Sequence, residues 1–218
     1  MPKLTLPGLI DPHVHLRDPG QTHKEDFYTG TSAALVGGYT TVIDMPNNAV
    51  PITTRENLLE KIAIARKKIV CDIGFYFGSI GDNIEEFEKV KDRVLGLKLY
   101  LNQTTGNFIL DKKSLSRVFS AFPQSLPILA HAEGNAVADV IEAVRKTGHK
   151  THVCHVGAEE LKQIIQAKRE DLPITCGVTP HHLFLKSKDV KRLGPFGLMK
   201  PRIDDEFPEF AFKNLKYI

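Results

Sequence analysis

Short apolar runs alternate with longer amphipathic ones along almost the whole chain. The runs at 8–16, 40–45, 71–78, 95–101, 127–133, 152–157 and 174–179 read as strands: each is brief, apolar and bounded by glycine, proline or polar clusters. Amphipathic stretches at 24–37, 54–68, 84–94, 111–121, 134–147 and 158–169 read as the helices between them. Strand starts lie 22 to 32 residues apart, room for one strand and one crossover helix each. Helix ends carry their own marks. Thr53 or Thr54 is placed to cap the second helix and Asp111 the fourth, each offering a side-chain oxygen to free N–H groups. Gly148 and the pair Gly37 and Gly38 follow helices, where a left-handed residue is often needed.

Seven βα repeats without a second-domain signal predict an α/β fold in one domain over 1–218: a (β/α)8 TIM barrel or a doubly wound sheet. No glycine-rich phosphate loop follows the first strand, which lowers the second option. A complete barrel usually takes about 250 residues, and the chain has 218. Beyond the seventh strand the pattern gives only a short helix at 186–193 and a helical segment at 205–215. The eighth strand is expected to be missing.

Composition narrows the class. With 42% hydrophobic and 25% charged residues the chain reads as soluble and globular. Its 29 basic and 26 acidic residues leave a net charge of only +3, with no basic run, so no nucleic-acid partner is expected. No apolar stretch approaches the roughly 18 residues of a membrane span, and the N-terminus lacks the apolar core of a signal peptide. Cys71, Cys154 and Cys176 are too few and too scattered for a disulfide framework. A reducing, cytoplasmic setting is the expectation.

The polar residues inside the strands carry the chemistry. In the first strand His13 and His15 are two apart, so they share one face, while Ile10, Val14 and Leu16 point the other way, toward the helices. Two imidazoles at a strand end make a half-site for zinc; a pair of merely hydrogen-bonded histidines is the plainer alternative. In the fourth strand Leu95, Leu97, Leu99 and Leu101 form one face and Gly96, Lys98 and Tyr100 the other. An inward ammonium must be paired or lose its charge. It either pairs with a carboxylate such as Asp11 or Asp44, or reacts as the neutral amine with carbon dioxide to give a carbamate, an anionic ligand able to bridge two metals. His131 and His155 fall near the C-terminal ends of the fifth and sixth strands, the edge where barrel enzymes place their sites. Four such histidines and one inward lysine read jointly as a binuclear metal site.

The segments Gly8-Leu-Ile-Asp-Pro-His-Val-His-Leu-Arg17, Met45-Pro-Asn47, Gly96-Leu-Lys-Leu-Tyr100, Ala130-His-Ala-Glu133 and Cys154-His-Val156, in this order and spacing, resemble dihydroorotase. The likeness is strongest to the dihydroorotase domain of the animal multifunctional pyrimidine-synthesis protein. Thr179-Pro-His-His-Leu-Phe-Leu185 and Leu193-Gly-Pro195 extend it, so it runs from near residue 6 to about 201. The resemblance implies a zinc amidohydrolase that interconverts N-carbamoyl-L-aspartate and L-dihydroorotate in pyrimidine biosynthesis. It implies two Zn2+ ions, one held by His13 and His15, the other by His131 and His155, bridged by carboxylated Lys98. Arg17, Asn47, Thr104 and Lys200 match substrate-binding positions, Thr104 within a loop that closes over substrate in relatives. The catalytic Asp belongs to the eighth strand and is expected outside this chain. A second copy of the chain or aspartate transcarbamoylase is the macromolecular partner implied.

The chain departs from that pattern beyond the missing Asp. Lys200 stands where the animal relative has a substrate-binding Arg, keeping the charge but losing the bidentate fork. Gly177 stands where it has a Glu serving an extra metal beside the match to Cys154, which puts a third metal in doubt. Allantoinases and hydantoinases share the metal site; Arg17 favours a substrate bearing a carboxylate, which their rings lack. A non-catalytic, dihydroorotase-like scaffold that binds aspartate transcarbamoylase is the alternative from another class. Its weakness is that such a scaffold has no need of His13, His15, Lys98, His131 and His155 together.

Overall fold

In the computed structural model, residues 4–104 and 108–218 are described. Main-chain packing divides the chain into two compact units, Met1–Ser79 with Glu85–Lys98, and Ile80–Ile84 with Leu99–Ile218.

The first unit begins with β1 (Leu9–Val14), α1 (Phe27–Val36), β2 (Tyr39–Asp44) and α2 (Arg55–Ala65). It continues through β3 (Asp72–Phe75), β4 (Phe77–Gly78) and α3 (Phe87–Val90) to the start of β5 (Leu97–Tyr100). β1, β2 and β3 pair in that order, all parallel. The strand expected at 71–78 is broken at Tyr76, whose N–H donates to the Asp44 carbonyl at 3.0 Å. β3 therefore keeps β2 as neighbour while β4 turns to β5, matching Phe77 with Leu97 and Gly78 with Lys98.

Asp26 opens α1, accepting from the Thr29 N–H while the Thr29 hydroxyl oxygen returns a bond to the Asp26 N–H, a capping box that the sequence reading did not single out. Thr54, of the two threonines considered, caps α2 by accepting from Asn57 N–H at 3.2 Å. The helix expected over 84–94 is only α3 between two 3₁₀ turns, Ile84–Glu86 and Lys91–Arg93. Glu86, at its N-cap, makes no capping bond there. Its carboxylate instead accepts from the Arg55 N–H at 2.8 Å, serving the first turn of α2.

Phe27, Leu58, Phe75, Phe77, Phe87, Val90 and Leu97 form the core of this unit. Ile10 departs from expectation: it is 61% exposed rather than packed under helices. β1 is the edge of its sheet, with β2 as its partner, and among the described residues no helix packs over Ile10 closely enough to bury it.

The second unit carries the end of β5, then α4 (Lys112–Ala121), β6 (Ile128–His131), α5 (Asn135–Thr147), β7 (Thr151–Val153), α6 (Ala158–Arg169) and β8 (Ile174–Cys176). β6, β7 and β8 are parallel and successive. The helices bury stripes at helical spacing: Leu115, Val118 and Phe119 on α4, Val137, Val140, Ile141 and Val144 on α5, Leu161, Ile164 and Ile165 on α6. Asp111 caps α4 as expected, and Gly148, at φ +66°, ends α5 by returning its N–H to the Val144 carbonyl. After β8 come α7 (Pro180–Phe184), α8 (Ser187–Leu193) and α9 (Phe207–Lys213), then a 3₁₀ turn at Leu215–Tyr217. That turn is tied down by Lys168, whose ammonium donates to the Tyr217 carbonyl at 2.7 Å. Among the described residues no strand follows β8, and no helix is long and apolar enough to cross a membrane.

Candidate metal and ligand site

In the first unit, β1 delivers His13 and His15 with ring centroids 5.2 Å apart. The N–H of His13 is held by Asp11 Oδ1 at 3.0 Å. His15 Nδ1 lies 2.7 Å from Asn47 Oδ1, on the loop after β2. A carbonyl oxygen only accepts, so Nδ1 carries the proton and Nε2 is the nitrogen a metal would meet. Burial drives the His15 pKa down to about 3; the cations of Arg17, Lys98 and Lys61 push the same way, and the bond to Asn47 opposes them. The ring is thus neutral at neutral pH, the form that ligates metals.

Arg17 follows at once, with its backbone in the left-handed region at φ 62°. Its guanidinium donates a long bond, 3.5 Å, to the Asn47 carbonyl. The structure therefore brings His15, Arg17 and Asn47 together. Lys98 is fully buried on β5, in register with Gly78.

Asp44, one of the carboxylates offered as a partner for Lys98, is engaged elsewhere. Lys61 of α2 meets its Oδ2 at 2.8 Å, both side chains buried. Burial lowers the Lys61 pKa, and the Asp44 charge resists that. Sequence reasoning missed Lys61. Its signal was present: with Leu58 and Ala65 it occupies the buried stripe of α2, an unusual place for an ammonium.

The depressed His15 pKa gives a stability prediction for the metal-free protein. Below about 6.5 the unfolded chain takes up a proton that the folded chain refuses until about 3. The fold therefore loses stability as pH falls through that window and regains it as pH rises, at up to about 1.4 kcal/mol per pH unit. Urea titrations between pH 7 and 4.5 should show this slope, and His15→Gln should flatten it. An unchanged slope in the variant would assign the loss to other groups.

In the second unit, His131 closes β6 and His155 follows β7, its backbone also left-handed at φ 34°. His131 Nδ1 and His155 Nε2 stand 3.2 Å apart. Two nitrogens bound to one tetrahedral zinc at 2.0–2.1 Å would lie about 3.3–3.4 Å apart. The pair fits a shared zinc. His131 Nε2 is held by Glu133 Oε1 at 2.9 Å, the carboxylate support that orients metal-binding imidazoles. Glu133 is positioned in turn, its N–H donating to Asn102 Oδ1 at 2.7 Å, and Tyr100 stacks on the His131 ring. The sequence reading quoted Glu133 only as part of a motif; the His-x-Glu spacing on a strand was the signal for its contact.

Lys200 donates to the Gln103 carbonyl at 2.7 Å, beside Thr104. The rest of the loop that carries Thr104, residues 105–107, lies outside the described residues. Among the described residues no group of three or more His, Cys, Asp or Glu side chains could hold a metal ion. The donors appear as two histidine pairs and a buried lysine.

Successive parallel βα units, with paired imidazoles at their strand ends, are the arrangement of part of an α/β barrel. The model of the amidohydrolase family matches residues 4–181, and the chain belongs to that family. Multifunctional protein CAD of Squalus acanthias is 43% identical over 195 residues, covering 88% of this chain and 9% of that protein. A dihydroorotase of Methanosarcina mazei is 34% identical over 239 residues, covering 91% of this chain and 52% of the relative. Among solved structures, L-hydantoinase (dihydropyrimidinase) from Arthrobacter aurescens superposes with a TM-score of 0.89 at 23% identity, over 96% of this chain and 55% of that one. The inactive dihydroorotase-like domain of a Chaetomium thermophilum CAD-like multifunctional protein gives 0.82 at 25% identity, over 98% and 62%. The chain is thus a partial (β/α)8 barrel of amidohydrolase type. It spans about half the length of the archaeal relative it matches.

Proposed function

We propose that this chain is the larger part of a dihydroorotase, a hydrolase of a cyclic amide that interconverts L-dihydroorotate and N-carbamoyl-L-aspartate in pyrimidine biosynthesis. The observation that carries the reading is the arrangement of His15, Asn47 and Arg17, a half-buried neutral imidazole beside a guanidinium able to take a carboxylate. Similarity to the shark multifunctional protein and to the archaeal dihydroorotase supports it. Both compact units are read as parts of one barrel domain.

In this reading His13 and His15 would hold one Zn2+, His131 and His155 the other, and Lys98, as a carbamate, would supply an anionic ligand to both. When bound, the two ions would generate a nucleophilic water at neutral pH and polarise the ring amide. The chain's own residues do the rest. Asn47 and Glu133 fix the faces that His15 and His131 present. Arg17, Asn47 and Lys200 orient the substrate's carboxylate and ring, and Thr104 contributes from its loop. The catalytic Asp that the family carries on its eighth strand is not assigned to any of the described residues. The setting proposed is cytoplasmic, with a second copy or aspartate transcarbamoylase as partner.

Substrate choice tests this. Extended by the family's eighth strand with its Asp, the zinc-loaded protein should turn over L-dihydroorotate faster than hydantoin or allantoin, measured by chromatography of the ring-opened products; the 218 residues alone should hydrolyse it barely detectably. Preference for either uncharged ring would move the assignment to another cyclic amidohydrolase. A second reading, a non-catalytic domain, is favoured by the likeness to the inactive Chaetomium domain. Zinc separates the two, because a scaffold has no need to keep five donors in place.

A further inference from the structure

Lys61 lies outside the proposed metal and substrate ligands, yet it is fully buried. Its ammonium donates to the Met45 carbonyl and to Asn48 Oδ1, each at 2.8 Å, and forms an ion pair with Asp44 Oδ2 at 2.8 Å. Two of these partners pass the connection on. Asp44 Oδ1 accepts the Leu16 N–H at 2.9 Å, and Asn48 Nδ2 donates to the Pro19 carbonyl at 3.1 Å.

The residues reached in this way alternate with those of the candidate site. Leu16 sits between His15 and Arg17 in the chain. Met45 and Asn48 flank the turn that carries Asn47, and Pro19 stands just beyond Arg17. One cation on α2 thus grips the backbone on both sides of the residues that would hold the metal and the substrate carboxylate. A buried charge is costly unless every partner is in place, so the network has one low-energy arrangement and resists slippage of either loop.

We propose that Lys61 is a positioning residue, fixing the His15–Asn47–Arg17 constellation by holding together the loops after β1 and β2. This rests on the site reading above but is tested separately from it. Lys61→Met alone would leave the Asp44 carboxylate buried without its cation and is expected to unfold. The informative variant is Asp44→Asn with Lys61→Met. Asn keeps the oxygen that accepts from Leu16, Met keeps the stem's volume, and only the ammonium's grip is lost.

Two measurements follow on the double variant, with circular dichroism and a cooperative thermal transition confirming that it folds. In metal-free protein, imidazole 15N shifts should show one neutral tautomer for His15 in the parent and averaged shifts in the variant. In zinc titrations the folded variant should bind 10–100-fold more weakly, the range for lost support of a ligand. Asn47→Ala should weaken the parent similarly and add little in the variant background, because both act through His15. A folded variant that keeps the parent's His15 tautomer, with Asn47→Ala additive, would reduce Lys61 to a core ion pair and overturn the proposal. If the parent bound no zinc, the metal reading would fail, while the tautomer measurement would still decide the role of Lys61.

Discussion

In a protein completed by the family's eighth strand, Lys98→Met should empty the site. Met matches the stem of the buried lysine and keeps the packing on β5, so the protein should fold, yet it offers nothing that can become a carbamate. Zinc content is expected to fall from about two ions per chain to fewer than one, since each histidine pair would be left without its shared anionic ligand. Dihydroorotate turnover should drop more than about 10³-fold, because the cations that would bring a water's pKa down toward neutrality would no longer be held. Inductively coupled plasma analysis reads the metal. A carbamate carbon resonance after incubation with 13C-bicarbonate reads the modification in the parent. Parent protein that binds two zinc ions without that resonance would leave Lys98 an ordinary buried ammonium.

Arg17→Met should separate the acid from the ring. Losing one partner of a desolvated charge pair costs roughly 2–5 kcal/mol, so dihydroorotate should bind about 30- to 5,000-fold more weakly. Hydantoin, which has no carboxylate, should bind as before. Calorimetry with both ligands on parent and variant measures the difference directly. Equal losses for the two ligands would mean that Arg17 shapes the loop rather than reading the substrate. The same pair of titrations on Asn47→Ala gives a useful contrast, because the Asn47 side chain holds His15 while only its backbone carbonyl, which the variant keeps, meets Arg17.

Much of the fold was legible because the strands are apolar and the helices carry stripes at helical spacing. Thr54, Asp111 and Gly148 then fixed helix ends by local chemistry. The misreadings share a cause. The break at Tyr76 depends on which neighbour each half of the strand pairs with, and the shortened helix at α3 depends on Glu86 being drawn to Arg55. Both are contacts between distant segments, which no local pattern encodes. Ile10 was read as buried from alternation alone, and alternation does not reveal that a strand lies at an edge. At the site, His13, His15, Lys98, His131 and His155 stood out because polar residues interrupt apolar strands. Lys61 did not, since a lysine in a helix looks ordinary until its stripe is mapped and its ion pair and two acceptors are seen.

The left-handed backbone at Arg17 and His155 carries a consequence for how this sequence can drift. Residues held there cost on the order of 1–3 kcal/mol each, and glycine would relieve that cost at once. A lineage selected for stability alone would therefore trade both side chains away, and either exchange is a single step toward a firmer fold. Arginine and histidine stand at these two positions despite that cost. Arg17→Gly and His155→Gly should therefore each relax the main chain while removing a side chain that the proposed site uses.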